Sequence, residues 1–152
     1  MGERYLKSIR LLAQCMQGFE RYSGDHVRRH GLTPAQFDLI ATLGNTAGMS
    51  CKELGDKTLI TKGTLTGVID RLQRKGLVER ERSSDDKRSF LVRLTRAGEQ
   101  LFGEVFPKII AHDKQLFSHF SDADFTALET TLSRLKQAMQ ESSAPPHTKA
   151  KE

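Results

Sequence analysis

The sequence lacks the features that mark exported, membrane-bound or disulfide-linked proteins. Its 152 residues include only two cysteines, Cys15 and Cys51, which make no disulfide framework and favour a reducing compartment. No stretch approaches the roughly 18 consecutive apolar residues that a membrane span needs. The first residues, MGERYLKSIRLLAQ, contain no continuous apolar segment followed by a small-residue cleavage site. We therefore expect a cytoplasmic protein that does not enter a membrane.

Motifs that mark catalytic and metal sites are also missing. The sequence contains no G-x-S-x-G, no phosphate-binding glycine loop and no H-E-x-x-H. His26 and His30 form an i, i+4 pair, and His112 and His119 are seven residues apart, but neither pair has a clear third metal ligand. We therefore expect no enzymatic activity, no cofactor and no bound metal.

Positive charge is concentrated in the middle of the chain. The net charge is +5. Residues 52–96 contain 12 lysines and arginines and 7 aspartates and glutamates, whereas the rest of the chain contains 12 of each kind. Because the whole excess lies in one block, it predicts a polyanionic partner, with nucleic acid as the first candidate. The alternative is a solvated surface whose charge asymmetry has no function.

Two terminal segments are predicted to be helices that pack against a partner. Residues 3–30 carry apolar side chains that step by four and three along one seam: Tyr5, Ile9, Leu12, Met16 and Phe19. A helix of this length spans about 40 Å, which is more than the core of a small domain covers. A final helix is predicted to begin after its N-cap, Ser121, and to continue to about residue 140 with the same apolar spacing.

Between these helices, several residue patterns mark where shorter helices begin and end. LTPAQF predicts a start in which Thr33 and Gln36 form a capping box and Pro34 takes the first helical position, and Gly44 with Asn45 ends that helix. Ser50 and Glu53 predict a second capping box before a short helix.

The next helix is predicted to have one buried and one unusually open face. Thr61 is its expected N-cap and Gly76 its end, and Leu65, Val68, Ile69 and Leu72 form one apolar stripe. The opposite side carries two glycines, Gly63 and Gly67, with Asp70 and Arg74, flanked by Thr64, Thr66 and Arg71. Glycine weakens a helix but permits close approach of another surface. The threonines and arginines beside the glycines supply the hydrogen-bonding groups and charge that a DNA major groove accepts.

Two strands joined by a charged turn follow. LVERERS and SFLVRLT flank residues 83–87, and the alternation of Phe90, Val92 and Leu94 with other residues is typical of a strand. Thr95 is then expected to cap a helix over residues 96–120, with a kink near Pro107. Residues 142–152 are polar and predicted to be disordered.

This order of elements resembles the MarR family of bacterial transcription regulators over about residues 5–140. The matching segments are LTPAQFDLIATL, SCKELGDKTLITKGTLTGVIDRLQRKGLVER and DDKRSFLVRLTRAG. The resemblance implies a mainly α fold with a small β-hairpin wing, within one domain of residues 1–141. Residues 32–95 would form the winged helix-turn-helix, and residues 3–31 and 96–141 a helical dimerisation region.

The resemblance also implies which side chains meet DNA. Arg88 at the hairpin tip would enter the minor groove, Asp86 would orient arginines near it, and Lys87 would lie beside them. A narrow minor groove concentrates negative potential, which attracts a guanidinium. Residues 61–75 would form the recognition helix, with its DNA contacts drawn from Thr61, Lys62, Thr64, Thr66, Arg71 and Arg74.

The expected function is therefore that of a homodimeric repressor of a palindromic operator in double-stranded DNA. Members of the family usually release DNA when a small, often phenolic or anionic, ligand binds between the dimer helices and the winged domain, and no residue pattern here identifies that ligand or its pocket.

Oxidation of Cys51, at a helix start where the dipole favours thiolate, or of Cys15 is an alternative, although we expect both cysteines to be packed. The peroxide-sensing branch of the family is disfavoured because Phe37 stands where it has a tyrosine. An architectural or RNA-binding module is a further alternative.

Overall fold

The computed structural model describes residues 2–82 and 90–143. The chain divides after Gln115 into two compact units. In chain order, the helices and strands of the described residues are α1 Arg4–Arg29, α2 Pro34–Leu43, β1 Met49–Ser50, α3 Cys51–Lys57, α4 Lys62–Arg74, β2 Val78–Arg82, β3 Phe90–Leu94, α5 Arg96–Lys114 and α6 Asp122–Ser143. The first unit contains α1 to α5 with the strands, and the second contains α6.

The predicted capping patterns are confirmed. The backbone N–H of Gln36 donates to Thr33 Oγ1 at 3.1 Å, and the backbone N–H of Thr33 donates to Gln36 Oε1 at 3.0 Å. Ser50 and Glu53 form the second capping box. Gly44 ends α2, and the next residue, Asn45, has φ +59°. These short-range hydrogen bonds satisfy backbone groups that a helix end leaves free.

Two helices expose the apolar seams that the sequence predicts. On α1, four of the five seam residues are exposed, from 39% for Ile9 to 62% for Tyr5, and Leu12 is half-buried. Only Ser23, Gly24 and Val27, near its C-terminal end, are buried. Helix α6 has no buried residue, and its large exposed apolar side chains are Leu128, Leu132 and Met139.

The wing belongs to a sheet of three antiparallel strands in the order β1-β3-β2. The predicted hairpin is confirmed in β2 and β3, but the sequence did not predict the third strand, in which Met49 of β1 pairs with Val92 of β3. The two residues of β1 are too few to show alternation in the sequence. Gly48, just before β1, has φ +114°, and a Cβ there would lie 2.8 Å from the Val92 carbonyl oxygen. This close approach requires glycine.

The hydrophobic core holds the inner faces of the short helices against the sheet. Its most buried side chains include Leu39, Leu43, Leu54, Leu72 and Val92, each at most 1% exposed. Removing such a side chain typically costs about 2–5 kcal/mol in proteins. Because Leu72 belongs to α4, the core fixes which side of α4 faces outward.

Helix α5 is shorter than predicted, and some predictions fall outside the described residues. It runs through Pro107 without a break but ends at Lys114, and a 3-10 turn, Gln115–Phe117, follows. Helix α6 extends to Ser143, so the first residues of the predicted tail are helical. The candidate wing-tip residues Asp86, Lys87 and Arg88, and the tail beyond Ser143, lie outside the described residues. Among the described helices, none has both the length and the apolar character that crossing a membrane requires.

Candidate nucleic-acid interface

Helix α4 is held by one face and open on the other. Leu65, Val68, Ile69 and Leu72 are all buried, which confirms the predicted stripe. The candidate DNA-contacting residues of the helix and its N-cap are all exposed: Thr61, Lys62, Thr64, Thr66, Arg71 and Arg74. The open face therefore presents hydroxyl, ammonium and guanidinium groups, all of which donate hydrogen bonds to phosphates and base edges.

The two glycines of α4 lie on the open face with nothing beside them. A Cβ added to Gly63 or Gly67 would meet no atom within 4 Å. The packing of the described residues therefore does not require glycine at either position. Since each glycine costs about 1 kcal/mol relative to alanine in a helix, their presence fits a face that an external surface approaches closely.

Asp70 connects α4 to the wing. The sequence suggested that it lies on the open face without a partner, but in the structure it is paired. Its Oδ1 accepts a hydrogen bond from Nη2 of Arg80 on β2 at 2.6 Å. Nη1 of the same guanidinium donates to the side-chain oxygen of Gln73. One arginine from the wing thus binds two residues one turn apart on α4. No local sequence pattern marks Arg80, because its contact joins separate elements.

A second arginine stiffens the strands of the wing. Arg93 of β3 donates to Glu79 at 2.6 Å and lies 2.9 Å from Glu81, both on β2. The hydrogen bond with Glu79 and the charge of Glu81 raise the pKa of Arg93. This pairing explains the acids of the ERER segment: they neutralise and orient an arginine across the strands.

The start of α4 is held by other hydrogen bonds than the capping bond predicted for Thr61. Thr61 occupies the N-cap position, but its hydroxyl donates to the Thr64 hydroxyl at 3.0 Å and makes no capping bond to the backbone. The turn before it is fixed by Asp38 of α2, whose Oδ2 accepts the backbone N–H of Leu59 at 2.9 Å. Leu59 itself is 90% exposed. The start of α4 therefore depends on a carboxylate from α2.

The other end of α4 is tied to the turn between α1 and α2. The ammonium group of Lys75, just after the helix, donates to the Gly31 carbonyl oxygen at 2.9 Å and to Gln36 Oε1 at 3.4 Å. Gln36 is buried and belongs to the capping box of α2. The position of α4 is thus coupled at both ends to α2.

A cavity of about 540 Å³ lies between α1, α2, the end of α5 and the start of α4. Its apolar lining includes Met16, Phe19 and Phe37, and its polar lining includes Ser23, Glu20, Asp38, Asp113, Thr61 and Thr64. The cavity reaches Leu59 and the first turn of α4. It is large enough for a small organic molecule, although no sequence pattern marked it because four elements contribute to it.

The predicted cysteine and histidine candidates are not part of the open face of α4. Both Cys15 and Cys51 are free and exposed, so the expectation that they are packed was wrong. His26 and His30 are neighbours as predicted, with ring centroids 5.2 Å apart, and His112 of α5 stacks on His26 at 4.1 Å. Within the described part of the chain, no group of three or more histidine, cysteine or acidic residues has the arrangement of a metal site.

Comparisons with known proteins agree with this geometry. The MarR family model matches residues 30–89. The HTH-type transcriptional regulator MhqR of Bacillus subtilis is 27% identical over 135 residues, which cover 89% of this chain and 93% of that protein.

Two solved structures extend the likeness to most of the fold. A mutant MarR of E. coli complexed with operator DNA has a TM-score of 0.77 at 26% identity, covering 87% of this chain and 95% of that one. Bordetella bronchiseptica BpsR, whose DNA binding is regulated by 6-hydroxynicotinic acid, has a TM-score of 0.74 at 25% identity, covering 86% and 98% of the two chains. With the open face of α4 and its link to the wing, these matches establish that the chain belongs to the MarR family of winged-helix, DNA-binding transcriptional regulators.

Proposed function

We propose that this protein is a homodimeric repressor that binds a palindromic operator and releases it when a small molecule binds. The observation that carries the proposal is the open face of α4, joined to the wing through Asp70 and Arg80. A recognition helix must reach base edges while a second element holds the neighbouring backbone or groove. A direct ion pair between the two elements keeps them in one register on the duplex.

On DNA, the proposed contacts come from the open face of α4 and from the tip of the wing. The open face, with Thr61, Lys62, Thr64, Thr66, Arg71 and Arg74, would lie in the major groove and along phosphates. Arg88 would enter the adjacent minor groove, with Asp86 and Lys87 beside it, as the family resemblance implies. The basic block of residues 52–96 supplies the charge that draws the protein to the duplex.

The proposed homodimer is supported by the uncovered apolar side chains of α1 and α6. Two rows of this kind, on helices of 26 and 22 residues, exceed the scattered exposed apolar residues of an ordinary monomer surface. A second copy offers the same rows, so each copy would cover those of the other. Two α4 helices would then face half-sites about 10 base pairs apart.

Release by a small molecule is supported by the position of the cavity. It borders Leu59, Thr61 and Thr64, and Asp38 on its wall holds the turn before α4. A ligand that moves this wall would shift the N-terminal turn of α4 relative to the wing. The regulated relative BpsR responds to a small molecule, which supports the same kind of control here.

Control by cysteine oxidation is the second candidate, because Cys15 and Cys51 are both exposed. Cys51 begins α3, close in sequence to the turn that leads into α4. Loss of operator binding after peroxide treatment, prevented by Cys51→Ser, would favour this mechanism over a ligand.

The test is selection of bound duplexes from a random pool by the purified protein, together with its molar mass in solution. We expect a palindrome of about 16–20 base pairs bound by a dimer, with affinity that falls steeply as salt rises. A monomeric mass at micromolar concentration would contradict the dimer. Binding without preference for any sequence would instead favour an architectural protein or, with single strands or hairpins, an RNA-binding one.

A further inference from the structure

We propose that the cavity takes an amphiphilic organic cation, with an aromatic body and one ammonium group, in place of the phenolic or anionic ligand that the family resemblance implies. The inference rests on the proposed function, since it names the chemical class of the molecule that releases the operator. It concerns the charge and the aromatic lining of the cavity.

The charged lining of the cavity is entirely acidic. Glu20 of α1, Asp38 of α2 and Asp113 of α5 all line it, and within the described ranges no lysine, arginine or histidine does. The three carboxylates come from three different helices that line the space. An anionic ligand placed there would meet like charges without a cationic partner, which is unfavourable in a partly enclosed site.

One of these carboxylates has an oxygen without a partner. Asp113 Oδ2 accepts the Ser23 hydroxyl at 2.8 Å, whereas Asp113 Oδ1 is buried and has no hydrogen-bond partner among the described residues. A buried carboxylate oxygen left in this way costs free energy. A ligand ammonium in the cavity would offset that cost through its charge, without a direct hydrogen bond to the buried Oδ1.

The apolar lining suits the body of such a cation. Phe19 and Phe37 contribute rings and Met16 a thioether. Phe37 is held in place by Phe106, with ring centroids 6.3 Å apart. Aromatic faces together with carboxylates attract ammonium groups through cation–π and ionic interactions.

Two features act in the opposite direction, and both are weaker. The N-terminal ends of α2 and α4 border the cavity at Pro34 and Thr61, and each carries about half a positive charge. The guanidinium of Arg28 lies near Gly24 on the wall, but it is paired with Asp25 at 3.2 Å. Three full negative charges therefore outweigh two partial positive ones.

The direct test compares three probes of similar size with the full-length protein: benzylammonium, benzyl alcohol and phenylacetate. Calorimetry without DNA gives each dissociation constant, and fluorescence anisotropy with a selected operator gives release. We expect the cation to bind about tenfold or more tightly than the neutral alcohol and phenylacetate to bind most weakly. Equal or tighter binding of phenylacetate overturns the proposal.

Variants locate the site. Glu20→Gln with Asp113→Asn removes two charges while the Ser23 hydroxyl keeps an acceptor. In this double variant, the ratio of the alcohol's dissociation constant to that of the cation should fall by at least half. Glu104→Gln, on the same helix as Asp113 but outside the cavity lining, is the matched control and should change neither affinity. A double variant that keeps the wild-type preference for the cation also overturns the proposal.

The two hypotheses fail in different ways. If the cation binds through Glu20 and Asp113 but does not release the operator, the cavity assignment holds and ligand control of DNA binding is wrong. If phenylacetate or another anion releases the operator while the cation does not bind, ligand control holds and the charge assignment is wrong.

Discussion

The guanidinium of Arg80 on β2 and the carboxylate of Asp70 on α4 lie 2.6 Å apart and join α4 to the wing. Side-chain exposures of 24% for Arg80 and 42% for Asp70 mean that water screens the pair, so its contribution to stability is small, about 1 kcal/mol or less. Its importance is geometric. It fixes the angle between two elements that, in the proposed complex, engage neighbouring grooves together.

The variant Asp70→Asn separates geometry from charge. If only charge mattered, removing an acid from the basic face would strengthen DNA binding. Because Asp70 positions Arg80, we expect weaker operator binding instead, by roughly threefold to tenfold, which corresponds to about 1 kcal/mol, with a nearly unchanged melting temperature. Anisotropy titrations at one salt concentration measure this. Asp25→Asn, which breaks the exposed pair with Arg28, is the control, and tighter operator binding by Asp70→Asn would refute the positioning role.

Replacing Gly63 or Gly67 by alanine should improve folding and impair binding. Neither added Cβ meets a protein atom, so each substitution is expected to stabilise α4 by up to about 1 kcal/mol. The same methyl group would stand between the helix and the DNA and lower the operator affinity. Thermal unfolding and titration of the same samples test both halves of the prediction.

The control for the glycine variants is Gly103→Ala in α5, where an added Cβ also meets nothing. It should stabilise the protein without changing operator affinity. Glycine variants in α4 that bind the operator as tightly as the wild type would remove close approach as the reason for glycine at these positions.

The sequence predicted local features well because their causes are local. The capping boxes at Thr33 and Ser50 depend on residues three positions apart, and the stripe from Leu65 to Leu72 depends on helical spacing. What it missed depends on contacts distant in the chain. Strand β1 exists only through its pairing with β3, and Arg80 acquires its role only when β2 is packed beside α4. The cavity draws its charge from three helices and was equally invisible in the sequence.

Arg88→Ala should weaken operator binding much more than Lys149→Ala. The family resemblance places Arg88 in the minor groove, where negative potential is strongest, whereas Lys149 belongs to the polar tail of the sequence. Each substitution removes one positive charge, so a purely electrostatic effect would be similar for both. Competition titrations against a shared labelled operator compare them directly. Equal affinities would exclude the wing tip from recognition.

The stability of the protein should decrease as the pH falls from about 7 to 5, in part through His26. Its Nδ1 is buried without a partner among the described residues. Burial, together with the charges of His112, His30 and Arg29, lowers the pKa of His26, and Asp113 acts in the opposite direction. The unfolded chain therefore takes up this proton more readily than the folded one. The free energy of unfolding falls as the pH drops through the unfolded-state pKa, near 6.5, and levels off below the folded-state pKa.

The variant His26→Phe tests this assignment because it keeps an aromatic ring to stack on His112 but cannot take up a proton. Its absolute stability is not the readout. The slope of unfolding free energy against pH between about 5 and 7 should become shallower than in the wild type. It is measured by denaturant titration at a fixed protein concentration, so that dissociation of the proposed dimer contributes equally. His119→Phe, at an exposed position before α6, should leave the slope unchanged. Identical slopes for the wild type and His26→Phe would exclude His26 as a source of the acid sensitivity.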